Sequence, residues 1–436
     1  MTVAQRSKRI LPWATESRYT IAGLIAVAFL IRLAVVLATP HFVPRTDGID
    51  FDRLAVWLAE HGSFGRSILA PVGPTAFRVP GFPLLLAAVY KIFGTDPSVR
   101  WTAARVVEAG LGCVTVWLIY AIADRTWGRR VALTAAVIAT IDPTLVLVGS
   151  SLLSESLLIP LILAAVLAAL TARTSVHTIR WSIAAGVAAG LAALTHGNAI
   201  LLAPPLAFLV WTVRPRRALR SLKAPAALVA ATLITLTPWT IRNAEVFHAF
   251  VPISTQVGYG LDGVYNAQVA RAPAEPALWQ TPLRGMLIAV IRDPRLNEAQ
   301  LSDRLTSMAL HYIGDHPLYP LRVAFWSAAR MLDLTGAGFE RDQAYSEAYP
   351  PTLAVISVYA FWLLGLLAVA GIVAERAARR APAAFWLCPI LVVVPSIFLL
   401  GDTRYRSPAE GFIVILGAIG LLATVRRAAA LRRPRP

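Results

Sequence analysis

From residue 20 to residue 425 the chain repeats one pattern, an apolar stretch followed by a short polar segment rich in arginine. Most of these stretches run for about 17–22 residues, enough for a helix to cross a hydrocarbon core of about 30 Å. The pattern predicts spans at 20–38, 99–123, 131–149, 153–172, 182–195, 198–213, 224–241, 352–373, 383–400 and 409–425. The expected fold is therefore an all-α polytopic membrane protein with about ten transmembrane helices.

Two segments break the pattern, residues 39–98 and 242–351. Both are rich in Trp, Tyr, Phe and Leu, which argues for structure rather than disorder, and loops of such length usually carry function. In 51–60, Phe51, Leu54, Ala55 and Leu58 recur at helical spacing, with Arg53 and Glu60 off that face, so an amphipathic helix on the membrane surface is expected. The run 83–93 is apolar over only about three turns and reads as a second interfacial helix. The opening of the larger segment mixes β-branched and aromatic residues with turn glycines; 301–332 reads as two helices broken at Pro317 and Pro320. The plan that results is a basic N-terminus 1–19, a membrane bundle 20–241 containing the loop 39–98, a large loop 242–351, C-terminal membrane helices 352–425 and a basic tail 426–436.

Composition agrees with this plan: the chain is 57% hydrophobic with a mean hydropathy of +0.63. A net charge of +17 would suggest nucleic acid only if the basic residues formed one patch, and they do not. They cluster at Arg6/Lys8/Arg9, Arg125/Arg129/Arg130, Arg173/Arg180, Arg214 to Lys223, Arg376/Arg379/Arg380 and Arg426 to Arg435. With both termini in the cytoplasm and alternate loops inside, every cluster falls on the cytoplasmic side of a plasma membrane, as the positive-inside rule requires, and both long loops fall outside. Cys113 and Cys388 each lie in an apolar stretch and offer neither a disulfide framework nor a zinc site. The first stretch has the basic leader of a signal peptide but is longer than an h-region, so it reads as a retained span; Arg32 inside it must snorkel or find a partner.

The chemistry gathers at the first loop, where Asp47, Asp50 and Asp52 fall within six positions. Asp50 reads as an N-cap and Asp52 as a first-turn carboxylate of the amphipathic helix. Asp47 is either a turn former or a carboxylate facing the mouth of the bundle. Arg45, Arg78, Arg242 beside Asn243, Arg404 and Arg406 crowd the same outer side, where arginine should be depleted. Guanidinium forks there suit a lipid phosphate; attraction to anionic headgroups or pairing with carboxylates is the alternative. Glu155 reads as a helix-start charge, Asp142-Pro143 as a helix break and His196 as a structural residue, with Asp50, Glu155 and His196 kept as possible site residues. His311, Asp315 and His316 include consecutive residues, Asp315 and His316, that point to different helix faces, and no metal or other cofactor is expected.

"TDGIDFDRLAVWLAEHG", "PTAFRVPGFPLLLAAVYKIFG", "TPWTIRNAEVFHAFVPIST" and "DTRYRSPAE", in this order, resemble the GT-C membrane glycosyltransferases, in the bacterial branch related to protein O-mannosyltransferases and to the lipid A aminoarabinose transferase. The resemblance covers about residues 20–425. It implies a polyprenyl-phosphate-sugar donor, an acceptor that is protein, glycan or lipid, and Asp47 as the catalytic carboxylate. It also implies that Arg78, Arg242, Asn243, Arg404 and Arg406 are donor-site residues. Gln256, His196 and Gly197 depart from the family's pattern, which bears on the substrate more than on the chemistry. The expected activity is inverting sugar transfer at the outer face of the membrane, for which one base suffices because a phosphate leaving group needs no protonation. The rival is a transporter or flippase of a lipid-linked anion, a class that usually shows internal repeats; none is evident here.

Overall fold

The structure is a computed structural model that describes residues 12–65, 73–211, 222–272, 276–280, 293, 295–374 and 380–431. The chain opens with α1 (Pro12–Ala38), and the first long loop carries α2 (Thr46–His61) and α3 (Gly81–Phe93). Next come α4 (Pro97–Trp127), α5 (Arg129–Ile141), α6 (Pro143–Val148), α7 (Glu155–Ala172) and α8 (Thr178–Ala193). A 3-10 segment, Gly197–Leu202, runs into α9 (Ala203–Val210), followed by α10 (Lys223–Phe247). The large loop holds α11 (Gln256–Asp262), α12 (Ala267–Ala270), α13 (Glu298–Asp315), α14 (Tyr319–Met331) and α15 (Ala337–Ser346). Then α16 (Pro351–Ala374) and α17 (Ala383–Ile397) lead through a 3-10 turn, Thr403–Arg406, to α18 (Ser407–Leu431).

Helix stands at all ten expected spans, and six of these helices are long and apolar enough to cross a membrane. The third span is broken into α5 and α6, because Pro143 has no N–H to continue the helix and the Asp142 carboxylate caps α6 by accepting from Leu145 N at 2.9 Å. The bundle is built around α7, whose most apolar window is 72% buried, whereas that of α1 is 17% buried and faces outward. Arg32 does not snorkel: it is fully buried, lies against Gly112 and Gly149, and donates to the Ala28 carbonyl at 3.1 Å and to that of Leu145 at 3.4 Å. The clusters Arg6/Lys8/Arg9 and Arg214 to Arg220, with Arg376, Arg379 and the last five residues, lie outside the described residues.

The first loop departs from expectation where it matters for the site. Its helix starts at Thr46, not near residue 51, and Arg45 at the N-cap makes no side-chain cap. Asp47 is therefore in the first turn, and Asp50 and Asp52 lie inside the helix as buried side chains rather than as cap and first-turn charge. Asp52 accepts from Tyr90 Oη, Arg100 Nε and Trp101 Nε1 at 2.8, 2.8 and 3.0 Å, which ties α2 to α3 and α4. The apolar face of α2, with Phe51 and Ala55, packs on Phe82, Leu86 and Tyr90 of α3. In the large loop the opening forms helical turns; among the described residues the one β feature is an isolated bridge between Gly65 and Pro74. The two expected helices are α13 and α14, separated at His316–Leu318.

Close helix packing inside the bundle depends on small residues. Gly186 and Gly190 of α8 face α10 so closely that a Cβ at Gly186 would meet the Leu228 carbonyl and one at Gly190 the Thr235 side chain, while Thr232 Oγ1 donates to the Gly186 carbonyl at 3.1 Å. Gly186→Ala is expected to lower the unfolding temperature of the detergent-solubilised protein at a cost of about 1–3 kcal/mol, since backbone must move. Gly110→Ala, with nothing within 4 Å of its added methyl, is expected to leave that temperature unchanged or raise it.

Candidate functional site

Asp47 occupies the first turn of α2, and its side chain retains 22% exposure at the edge of an otherwise buried group of charges. Two arginines hold it from opposite ends of the sequence. Arg78 donates from Nη2 to Asp47 Oδ1 at 2.5 Å and from Nε to Asp50 Oδ2 at 2.8 Å, so one guanidinium fixes two carboxylates one helical turn apart. Arg404 Nη2 donates to Asp47 Oδ2. Burial alone would raise the Asp47 carboxyl, but the two guanidinium groups outweigh it and hold the carboxyl well below its ordinary range.

Arg404 is itself a junction. Its Nη1 donates to Glu347 at 2.6 Å, its Nε lies 3.0 Å from Glu155 Oε1, and its Nη2 also reaches Tyr405 Oη at 3.0 Å. Each of its three nitrogens thus faces one carboxylate. Burial pushes the Glu347 carboxyl up to about 7 against the pull of Arg404. The whole arrangement sets four carboxyl groups, Asp47, Asp50, Glu155 and Glu347, against two guanidinium groups, Arg78 and Arg404. His196 is close by, its ring centroid 6.2 Å from that of Tyr405 and its Nδ1 buried without a hydrogen-bond partner.

The elements that aim these side chains are fixed by further buried polar groups. Glu108 of α4 accepts from the Leu152 and Leu153 amides at 2.9 and 3.0 Å, and so sets the start of α7, where Glu155 stands. Glu298, at the first position of α13, accepts from Thr75 Oγ1 at 2.6 Å and Ala76 N at 2.8 Å, which anchors the strand of chain leading to Arg78. Arg242 grips that same segment from α10, donating to the Thr75 and Phe64 carbonyls at 2.8 Å each, and Asn243 donates to the Val251 carbonyl at 3.1 Å. Arg406 donates to Asp333 and the Met331 carbonyl at 2.8 and 2.6 Å, and its guanidinium lies 3.4 Å over the Phe361 ring. That contact holds the 3-10 turn from which Arg404 projects.

The structure therefore brings together Asp47, Asp50, Arg78, Arg404 and Glu155, with His196 beside them. Arg242, Asn243 and Arg406 are engaged with backbone and carboxylates that position the cluster, and Arg45 lies at its rim, 3.5 Å over the Tyr345 ring. Glu347 and Tyr405 are members that the sequence reading missed; for Glu347, in "YSEAYP" of the large loop, no spacing or motif signals a link to residue 404. His311 and Asp315 form an exposed pair at 3.5 Å, and the described residues contain no group of metal-ligating side chains. An apolar groove of about 520 Å³ opens between α16, α17 and α18, lined by Ile372, Trp386, Pro389, Val393, Phe412 and Leu416. It starts within about two turns of Arg404 along α18.

Residues 75–241 match the family described as dolichyl-phosphate-mannose-protein mannosyltransferase. A comparison with curated proteins returns no match. Among solved structures, the archaeal oligosaccharyltransferase AglB from Archaeoglobus fulgidus, in complex with an inhibitory peptide and a dolichol-phosphate, superposes with a TM-score of 0.55 at 14% identity, covering 96% of this chain and 52% of that one. The chain thus spans about half the length of that relative. ArnT from Cupriavidus metallidurans bound to undecaprenyl phosphate matches more loosely, with a TM-score of 0.44 at 16% identity over 94% of this chain and 79% of that one. The Pmt1-Pmt2 protein O-mannosyltransferase complex of S. cerevisiae, bound to the sugar donor, matches with a TM-score of 0.44 at 17% identity over 61% of this chain and 37% of that one. The architecture expected from the motifs is found: the chain has the fold of a polytopic membrane protein and shares that fold with AglB over nearly the whole of its own length.

Proposed function

We propose that the chain is an inverting glycosyltransferase that moves a sugar from a polyprenyl-phosphate carrier to an acceptor hydroxyl at the outer face of the plasma membrane, with Asp47 as the general base. The observation that carries this reading is the clasp of one partly exposed carboxylate by Arg78 and Arg404 at the mouth of a helical bundle. AglB and ArnT, solved with lipid phosphates, support the donor class. The apolar groove between α16, α17 and α18 has the character that a prenyl chain needs.

The clasp also suggests how the base is switched on. A carboxylate held low by two guanidinium groups is ionised but is a poor proton acceptor. A donor phosphate bound beside Arg78 and Arg404 shares their positive charge and so weakens their pull on Asp47, which raises the basicity of the carboxylate when substrate is present. Attack of the acceptor oxygen on the anomeric carbon then breaks the bond to the phosphate oxygen. Asp47 takes the hydroxyl proton, and the two arginines stabilise the charge on the departing phosphate. Asp50 keeps Arg78 in register throughout, since it holds Nε beside the Nη2 contact to Asp47.

The deciding experiment follows release of polyprenyl phosphate by mass spectrometry when purified protein meets a panel of polyprenyl-phosphate sugars and membrane extract as acceptor. Asp47→Asn, which removes the base but keeps the shape, is expected to cut release by about 10²–10⁴-fold with folding intact. Equal release by both proteins would remove Asp47 from the chemistry, and tight donor binding with no release by wild type would favour a carrier. Arg78→Lys is expected to lower kcat/KM by about 10–100-fold, because an ammonium cannot bridge two carboxylates and a phosphate with a planar fork; an unchanged value would mean that the fork is dispensable.

A further inference from the structure

We propose that Glu347 is a latch on the donor site: it holds the position on Arg404 that the donor phosphate must occupy, and the phosphate binds by displacing it. The inference rests on the donor reading above. Arg404 has a carboxylate at Nε, at Nη1 and at Nη2, so a phosphate gains a forked contact with it only if one carboxylate leaves. With four carboxyl groups against two guanidinium groups, the closed cluster also repels an anion until negative charge is withdrawn.

Geometry singles out Glu347 as the group that moves. Glu155 is the first residue of a buried membrane helix whose start is pinned by Glu108, and Asp47 is held by Arg78 as well as by Arg404. Glu347 lies just past the end of α15, a ten-residue helix between two residues of positive φ, Gly336 (+89°) and Ala348 (+56°). Ala344 and Tyr349 on either side of Glu347 pack against Leu147 and Leu153, so the backbone is anchored and it is the Glu347 side chain that swings; between them this strap meets the start of α2 through the Arg45 guanidinium over the Tyr345 ring and Thr46 Oγ1 donating to the Ser346 carbonyl at 2.9 Å. Thr46, next to Asp47, has φ +41°, a conformation costly for a β-branched residue, so the fastened state stores strain beside the base. Tyr349, two residues beyond Glu347, is buried with its hydroxyl unpartnered, and so leaves a donor that a phosphate oxygen can use once Glu347 has gone.

The charged and titratable groups that bear on Glu347 are Arg404, Tyr405 and Asp402 from the turn before α18, Asp47 from α2, Glu155 from α7, and Tyr349 and Glu340 from its own segment. Burial holds the Glu347 carboxyl at about 7, so below that pH it takes a proton and loosens from Arg404, and above it the ion pair closes. Donor affinity should therefore rise as pH falls through this value. Glu340, raised mainly by burial to about 8, hydrogen-bonds Thr403 rather than Arg404, and a Glu347 variant separates the two.

The test measures binding of a decaprenyl methyl phosphodiester, which keeps one negative charge over the whole range, to the full chain in detergent at about pH 6 and about pH 8. Wild type is expected to bind more tightly at the lower pH. Glu347→Gln is expected to bind about tenfold more tightly than wild type at the higher pH, with little change between the two. Tyr345→Ala, which loosens the strap without touching the cluster, should shift affinity in the same direction and serves if the first variant does not fold. Binding that is lost in Arg404→Ala but is no tighter in Glu347→Gln or Tyr345→Ala than in wild type overturns the latch and leaves the donor site standing. No binding by wild type or by either strap variant at both pH values overturns the donor reading, and the latch with it.

Discussion

Everything in the site depends on one constraint: a carboxylate and two guanidinium groups have left bulk water together, and none can be left without a partner. A buried ion pair contributes little net stability over an apolar substitute, but breaking one by removing a partner costs several kcal/mol. Once Asp47 is drawn in from the first turn of α2, Arg78 and Arg404 must meet it, and each of these brings its own obligations. Arg78 recruits Asp50; Arg404 recruits Glu155 and Glu347. The network joins residue 47 to residues 78, 155, 347 and 404, and so knits both long loops to two membrane helices at one point.

The second tier of buried polar groups follows from the same rule. Glu108, Glu298, Arg242 and Arg406 do not touch Asp47, yet each satisfies backbone groups in a segment that carries a member of the cluster. A membrane bundle held by apolar packing alone would leave those loop segments free to drift by ångströms, because lipid is as apolar as the helices and supplies no preference for one register. Hydrogen-bonded carboxylates and guanidinium groups at the loop ends supply that preference. The small residues of α8 do the complementary work inside the bundle, letting α10 approach closely enough that Arg242 at its far end reaches the 64–75 segment.

Hydropathy made the ten helices legible, since a span of about twenty apolar residues has few other solutions in lipid. The break at Asp142-Pro143 was legible too, as a capping acid before a residue that cannot continue a helix. The start of α2 was not. Its first residue has positive φ and its N-cap has no capping side chain, so local signals point to a later start, and the early turn is held instead by ion pairs to residues 78 and 404. The arginines of the candidate site show the same division: sequence order and side marked all five, but only tertiary structure sorts the two that meet Asp47 from the two that hold backbone and the one that lies on Tyr345. Glu347 has no local signal at all, because its partner is 57 residues away.

The excess of acid over base in the cluster is the feature that best connects structure to activity. A site built only to hold itself together would match charges, and one built only to bind phosphate would have arginines to spare. Here the two arginines at the centre are already engaged, so an anion enters by exchange rather than by addition. Exchange has two consequences that simple binding lacks. On the proposed reading it would make the basicity of Asp47 depend on whether substrate is present, because carboxylate and phosphate would share the same guanidinium charge. It would also limit affinity for a spent carrier: as the lipid phosphate left, Glu347 would recover Arg404, and the energy of that recovery would favour product release. A clasp that is closed when empty would therefore suit the proposed activity, turnover on a lipid that remains in the membrane beside it.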